Sequence, residues 1–286
     1  SKYLFTLLDA IEYLGGSEEE KPALRVLSLT DIHGRNVYPL VLSMINSYDI
    51  AFVLDGGDIV DWGMPFENDF FSGGAGSTWR NNDVSIQDLG VPYYFVRGNH
   101  DKESSTVAAL RKIPNVVILD KGKIFEQNGL TITGAGDPFF NPDGGINKED
   151  ENKEEGELGA QMQEFLDNNP VDIAVLHNPK AAENITHGAE IIFSGHRHKF
   201  SFEVPSKLSE PLTLVNDSAG GAGLRTFDNL EGQETQQGFT ILNYSADCAL
   251  QSVVRIQVTS LNGTPELKST HIPIKSVTEV NTRKCG

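Results

Sequence analysis

The chain has 286 residues, 38% of them hydrophobic, and a formal charge of −17. That is enough for one large α/β domain with a proper core, or a domain plus a small appendage. So acidic a surface, with no Lys/Arg block, argues against a dedicated nucleic-acid binder, and no stretch is long and apolar enough to span a bilayer.

Residues 3–14 place Leu4, Leu7, Leu8, Ile11 and Leu14 at helical spacing, which predicts an amphipathic helix. The polar stretch 15–22, with Gly and Pro, reads as a linker. From there strands and helices alternate. Leu24–Leu29 is a buried strand that leads to Asp31, 37–45 is a helix, and 50–54 is a strand that leads to Asp58. Residues 62–90 break the rhythm with glycines at 63, 73, 74 and 76 and two tryptophans. So long an aperiodic run reads as a flap near a site or as a surface insertion.

The strand 93–96 leads to Asn99. Short strands follow near 116–119, 124–126 and 130–133, then a Gly/Asp/Pro-rich loop at 134–147 and a charged helix over 153–168. Strands 173–176 and 190–193 lead to His177 and His196. Beyond Lys199 the pattern is alternating and β-rich through Ile274, with a turn at Asn262-Gly263, and is expected to complete a second sheet packed on the first. The alternation predicts a parallel-containing sheet with helices on its faces, and Asp31, Asp58 and Asn99 together at the carboxyl ends of neighbouring strands. The expected division is a helix and linker over 1–22, one domain over 23–276, and a tail over 277–286. Cys248 and Cys285 have no metal-type spacing and could be two thiols or one disulfide.

Five short stretches carry the chemistry: Asp31-Ile32-His33, Gly57-Asp58-Ile59-Val60-Asp61, Gly98-Asn99-His100-Asp101, a lone His177, and Gly195-His196-Arg197-His198. Five of the seven histidines fall in them. Each follows an apolar run, so each sits where a strand ends and a loop begins, the usual seat of catalytic groups. Asp-x-His offers a hard oxygen and an imidazole nitrogen from one loop, a mixture that suits Mn, Fe or Zn better than Ca. Asp58 could bridge two cations, and His-x-His can reach two. Singly each signal is weak; in this order, at strand ends, they support one another.

The order D-x-H, G-D-x-x-D, G-N-H-D, H, G-H-x-H resembles the calcineurin-like metallophosphoesterase superfamily, over about residues 24–200. The resemblance implies an α/β fold, a four-layer αββα sandwich of two mixed β-sheets flanked by helices. It implies two divalent or trivalent transition-metal ions (Mn, Fe or Zn). One would be held by Asp31, His33, Asp58 and His198, the other by Asp58, Asn99, His177 and His196. Hydrolysis of small, nucleotide-like phosphodiesters or phosphomonoesters would proceed by attack of a metal-bridging hydroxide. His100 resembles the family's non-ligand histidine, which touches the phosphate or protonates the leaving oxygen. Asp61 looks like the carboxylate that orients it, with Asp101 the competing candidate.

The chain also departs from relatives. Protein Ser/Thr phosphatases carry Arg where Trp62 stands, so a phosphate clamp would have to come from Arg35, Arg97, Arg197 or Arg225; for Arg197 a surface salt bridge is the favoured role. Trp62 would suit a flat organic group or pack in the core. The run Asp217-Ser218-Ala219-Gly220-Gly221-Ala222-Gly223-Leu224-Arg225 and the pair Asp137-Pro138 after Gly134-Ala135-Gly136 resemble stretches of bacterial members with an N-terminal membrane anchor. The chain would then be the soluble domain of such a protein, and otherwise cytoplasmic. The rival readings are a nuclease and a catalytically silent metal-binding interaction domain. The expected partner is a small phosphate ester, with no nucleic acid; the oligomeric state is left open.

Overall fold

The computed structural model describes residues 22–72, 84–207, 209–221, 236–261, 264–274 and 283–286. The first sheet contains β1 (Leu24–Leu29), β2 (Phe52–Asp55), β3 (Tyr93–Phe95), β4 (Val116–Ile118), β11 (Gln237–Tyr244), β12 (Leu250–Leu261) and β13 (Thr264–Pro273), in the order β13-β12-β11-β1-β2-β3-β4. The second contains β5 (Phe125–Gln127), β6 (Leu130–Ala135), β7 (Val171–Leu176), β8 (Ala189–Ser194), β9 (Ser201–Glu203) and β10 (Leu212–Val215), in the order β5-β6-β7-β8-β10-β9. Both are mixed. β1 through β4 run parallel and β6-β7-β8-β10 run parallel, with antiparallel strands at their margins. The helices are α1 (Tyr38–Tyr48), α2 (Asp69–Ser72), α3 (Ala108–Leu110), α4 (Lys148–Asn168) and α5 (Pro179–Ala182).

The period of two along each strand assigns side chains to layers. Val26, Phe52, Leu54, Tyr94 and Val96 meet Ile173, Val175, Ile191, Phe193 and Leu214 in a core between the sheets. Leu27, Leu29, Val53, Tyr93 and Phe95 point outward, against Val41, Met44, Val107 and Leu110. Ala174, Leu176 and Ile192 pack outward with Met162, Leu166 and Ala181 of α4 and α5. The result is the four-layer αββα sandwich. Strands covered on both faces read as unbroken apolar runs, which is why their ends stand out in the sequence.

Three expectations change. The charged helix begins at Lys148 rather than 153, because the Asn147 side chain accepts from the N–H groups of Glu149 and Asp150, and Glu149, Asp150 and Glu151 suit its first turn. The C-terminal strands do not all join the second sheet. β9 and β10 do, but β11 pairs antiparallel with β1 and extends the first sheet through β12 and β13. Alternation marks a strand without naming its partner. The run 62–90 is not all loop: it holds 3₁₀ turns at Pro65–Asn68 and Ile86–Leu89 as well as α2, and Phe71, Ile86 and Leu89 are core residues. The helix at 3–14, residues 73–83, Arg225 and the turn at 262–263 lie outside the described residues.

At the amino ends of the parallel strands Cys248 is disulfide-bonded to Cys285. Nearby, both terminal guanidinium nitrogens of Arg283 lie 2.6 Å from the buried Asp172 carboxylate. Among the described residues no helix is long and apolar enough to cross a membrane.

Candidate metal centre

The opposite edge is formed by the carboxyl ends of β1, β2 and β3 in one sheet and β7 and β8 in the other. Asp31 and His33 follow β1, Asp58 follows β2, Asn99 and His100 follow β3, His177 follows β7, and His196 and His198 follow β8. Eight non-glycine described residues have positive φ, and five of them are here: Asp31 (55°), His33 (50°), Asp58 (59°), His196 (66°) and His198 (52°). Asp and His tolerate this left-handed region best among side chains other than Asn, but strain so concentrated points to function. Gly57 (φ 97°) packs on the Gly98 backbone, and a Cβ at Gly195 would collide with Thr30 and Asp31, so the loops close on one another only through glycine.

Hydrogen-bond partners fix which ring nitrogens face inward. His33 Nδ1 lies 3.0 Å from the Asp61 carboxylate, so Nε2 is the nitrogen turned inward. Nε2 faces His198 Nε2 at 3.0 Å, Asp31 Oδ1 at 3.7 Å and Asp58 Oδ2 at 3.9 Å. His177 Nδ1 donates to the Gly56 carbonyl at 2.7 Å, so its Nε2 is likewise turned inward. It faces Asp58 Oδ2 and Asn99 Oδ1, each at 3.2 Å, and His196 Nδ1 at 3.3 Å. Asn99 gives its Nδ2 to the Asn141 carbonyl, which turns Oδ1 toward His177 and toward His196 Nδ1 at 3.1 Å.

Nitrogen and oxygen atoms able to ligate a cation therefore converge in two groups, with Asp58 Oδ2 in both. Asp31 Oδ1 is buried and accepts no hydrogen bond; His198 Nε2 lies 3.2 Å away. Three groups have ligand atoms within 4.8 Å of one another: Asp31, His33 and His198; His33, Asp58 and His100; Asp58, His177 and His196. Such a set fits cations, and its mixture of nitrogen and oxygen fits transition metals. The electrostatics agree. Burial disfavours a charged His33, yet Asp31 and Asp61 push it up to about 10. Burial opposes charge on His177 too, but Asp58 holds it well above the usual imidazole range. Asp31 is held well below the usual carboxylate range by His198 and His33, against its own burial. Burial and the neighbouring His177 charge lower His196 to about 4.

The surroundings hold this set in place. Asp101 accepts from the backbone N–H groups of Asp58 (2.7 Å), Gly98 (3.0 Å) and Ile59 (3.0 Å), and Asp58 Oδ1 accepts from His100 N at 2.8 Å. Ser218 Oγ and Gly220 N both donate to the Asp31 carbonyl, at 2.6 and 3.1 Å, which gives the Asp217–Gly221 run a role as the wall of the Asp31 loop. Asp55 takes strand-end hydrogen bonds from Tyr93 and Gly57.

The roles of the two extra aspartates differ from expectation. His100 Nδ1 meets the backbone oxygen of Asp61 at 2.6 Å, while the Asp61 carboxylate lies against His33. Asp101 braces the Asp58 turn through its backbone contacts. Glu151 of α4, with Oε1 3.6 Å from His196 Nε2, carries no motif that could have flagged it. Arg35 donates to the Gly220 carbonyl, Arg97 to the Asp137 carbonyl, and Arg197 pairs with Glu183 at the surface. His187 pairs with Asp167, and His271 is exposed on β13.

The chain is 30% identical over 183 residues to the uncharacterized protein YpbG of Bacillus subtilis (strain 168), a match that spans 62% of each. The chain thus covers less than two thirds of that relative. Among solved structures it is similar to vacuolar protein sorting 29 of Cryptosporidium parvum (TM-score 0.40, 14% identity, 88% of this chain and 98% of that one). Another is a conserved uncharacterized protein, a predicted phosphoesterase, of Streptococcus pneumoniae TIGR4 (TM-score 0.36, 15% identity, 86% and 98%). The family model for calcineurin-like phosphoesterases matches residues 24–200, from the first residue of β1 to just beyond His198. That span takes in all the convergent loops and more than half of the chain, and the chain belongs to the calcineurin-like phosphoesterase family.

Proposed function

We propose that the chain is a dinuclear metal-dependent phosphoric ester hydrolase, acting on phosphodiesters or phosphomonoesters of small, nucleotide-like molecules. The observation that carries this reading is the pair of ligand-atom clusters sharing Asp58 Oδ2. Asp31, His33, Asp58 and His198 would hold one ion and Asp58, Asn99, His177 and His196 the other. Bound there, two cations would supply Lewis acidity toward the phosphoryl oxygens and an activated water for attack.

The chain's own groups do the rest. The Asp61 carboxylate fixes the tautomer of His33, the Gly56 carbonyl that of His177, and Asn141 the amide of Asn99. His100 is tied at Nδ1 to the Asp61 carbonyl, with Nε2 3.9 Å from Asp58 Oδ2. From there it can meet equatorial charge on phosphorus or give a proton to the leaving oxygen. Purified protein supplied with manganese should hydrolyse bis-p-nitrophenyl or p-nitrophenyl phosphate. His100→Ala should keep its metals and turn over about 10²–10⁴-fold more slowly. Metal-loaded protein without turnover on either ester would instead be a metal-binding interaction domain.

A further inference from the structure

Large apolar side chains are unevenly exposed. Among the described residues Trp62 (46% exposed), Met64 (45%), Phe66 (70%) and Phe140 (39%) stand on two loops beside the metal centre, whereas only Ile124 and Val204 are comparably exposed elsewhere. Single exposed hydrophobic residues are ordinary; a cluster at the mouth of a polar site is not.

The cluster is firmly built. The Glu67 carboxylate accepts from the backbone N–H groups of Asp61 (3.0 Å), Trp62 (3.2 Å) and Met64 (2.8 Å), which closes the turn that carries them. At its centre Gly63 has φ 64°, and a Cβ there would lie 2.7 Å from the Phe140 ring, 2.8 Å from Lys102 Cβ and 3.0 Å from the His100 carbonyl oxygen. Phe140 is thus seated on bare backbone, one residue from Trp62 and against the stretch that carries His100. The loop of Phe140 is tied to the centre as well, since Asn141 N donates to the Asn99 carbonyl at 2.8 Å and the Asn141 carbonyl receives the Asn99 amide. Both sides of the platform therefore share supports with residues of the metal centre.

A fixed surface that is apolar apart from Lys102 Nζ, 5.8 Å from the centre of the Phe140 ring, suits the uncharged part of a ligand whose phosphate is held next to it. Aromatic faces favour flat rings, which they bind by stacking with little loss of conformational freedom. We propose that Trp62 and Phe140 form a platform for a flat, weakly polar ring, so that the centre selects phosphate esters whose organic group carries such a ring. This rests on the phosphoesterase reading above.

The test uses manganese-loaded protein and three non-hydrolysable ligands with one head group: methyl-, octyl- and 1-naphthylphosphonate, titrated calorimetrically. The naphthyl compound should bind at least about tenfold tighter than the methyl compound and tighter than the octyl compound. Trp62→Ala/Phe140→Ala should bring the naphthyl compound within about threefold of the methyl one. If that double variant does not fold, as judged by circular dichroism, Trp62→Ala alone should weaken naphthyl binding at least about threefold. The proposal is overturned if naphthyl and methyl compounds bind equally, if the octyl compound matches the naphthyl one, or if the preference survives the substitutions. Turnover of bis-p-nitrophenyl phosphate is measured on the same preparations. Its absence, with the ring preference intact, refutes the hydrolase and leaves the platform standing.

Discussion

At the carboxyl ends of β1, β2, β3, β7 and β8, residues with left-handed backbone bring imidazole nitrogens against carboxylates. At the amino ends of these two sheets, Arg283 satisfies both oxygens of Asp172 and Cys248 is bonded to Cys285. One edge is left wanting positive charge; the other is closed covalently and by paired groups. Strained, unsatisfied groups persist only where the surrounding structure over-determines them, here through Asp101, Asn141 and Ser218 next to the site. Substitutions at the first edge should change metal content, and those at the second should change stability.

The largest effect should come from Asp58→Asn, which keeps a side chain that tolerates φ 59° but removes the shared charge. Metal affinity should fall beyond the 10–100-fold typical of losing an outer partner of a ligand, by about 10³-fold or more. Metal analysis after gel filtration reads this directly. Two ions per chain retained in the variant would break the claim that Asp58 is shared.

Cys248→Ser/Cys285→Ser should lower the unfolding free energy by about 2–4 kcal/mol in urea titrations, since the bond closes a loop of 37 positions. Metal content should stay as it was; a parallel fall would show that the two edges are not separate. Disulfides persist in oxidising compartments, so thiol alkylation of natively isolated chain should find both cysteines blocked. Free thiols there would refute the bond in the cell.

The smallest effect is graded. Ions must displace the Nε2 proton of His33, an imidazolium that Asp31 and Asp61 keep charged up to about pH 10. Protonation competes below that value, so metal affinity should rise with pH between 7 and 10, by about tenfold per unit for each proton displaced. Competition titrations with a chelator at three pH values measure the slope. A flat profile would mean that His33 is not displaced.

Much of this contrast is legible in the sequence, and the reasons are local. Asp31, Asp58, Asn99, His177 and His196 each follow within a few residues of an apolar run that a doubly buried strand requires, so their common edge follows from strand order. What sequence leaves hidden depends on contacts made across the fold. Glu67 and Asp101 act by collecting backbone N–H groups, and Ser218 by reaching a carbonyl 187 positions away. None of these uses leaves a spacing to read. Nor does alternation in 237–273 say which sheet those strands join. Asp61 had a suitable residue type, but its two ends serve different histidines, a division that only the turn geometry sets.

The central claim is that two cation positions lie side by side and share Asp58. Anomalous diffraction from crystals grown with manganese tests it most directly. Two peaks roughly 3.5–4 Å apart, with Asp58 Oδ2 between them, are the predicted result. A single peak, or two that do not share Asp58, would contradict it.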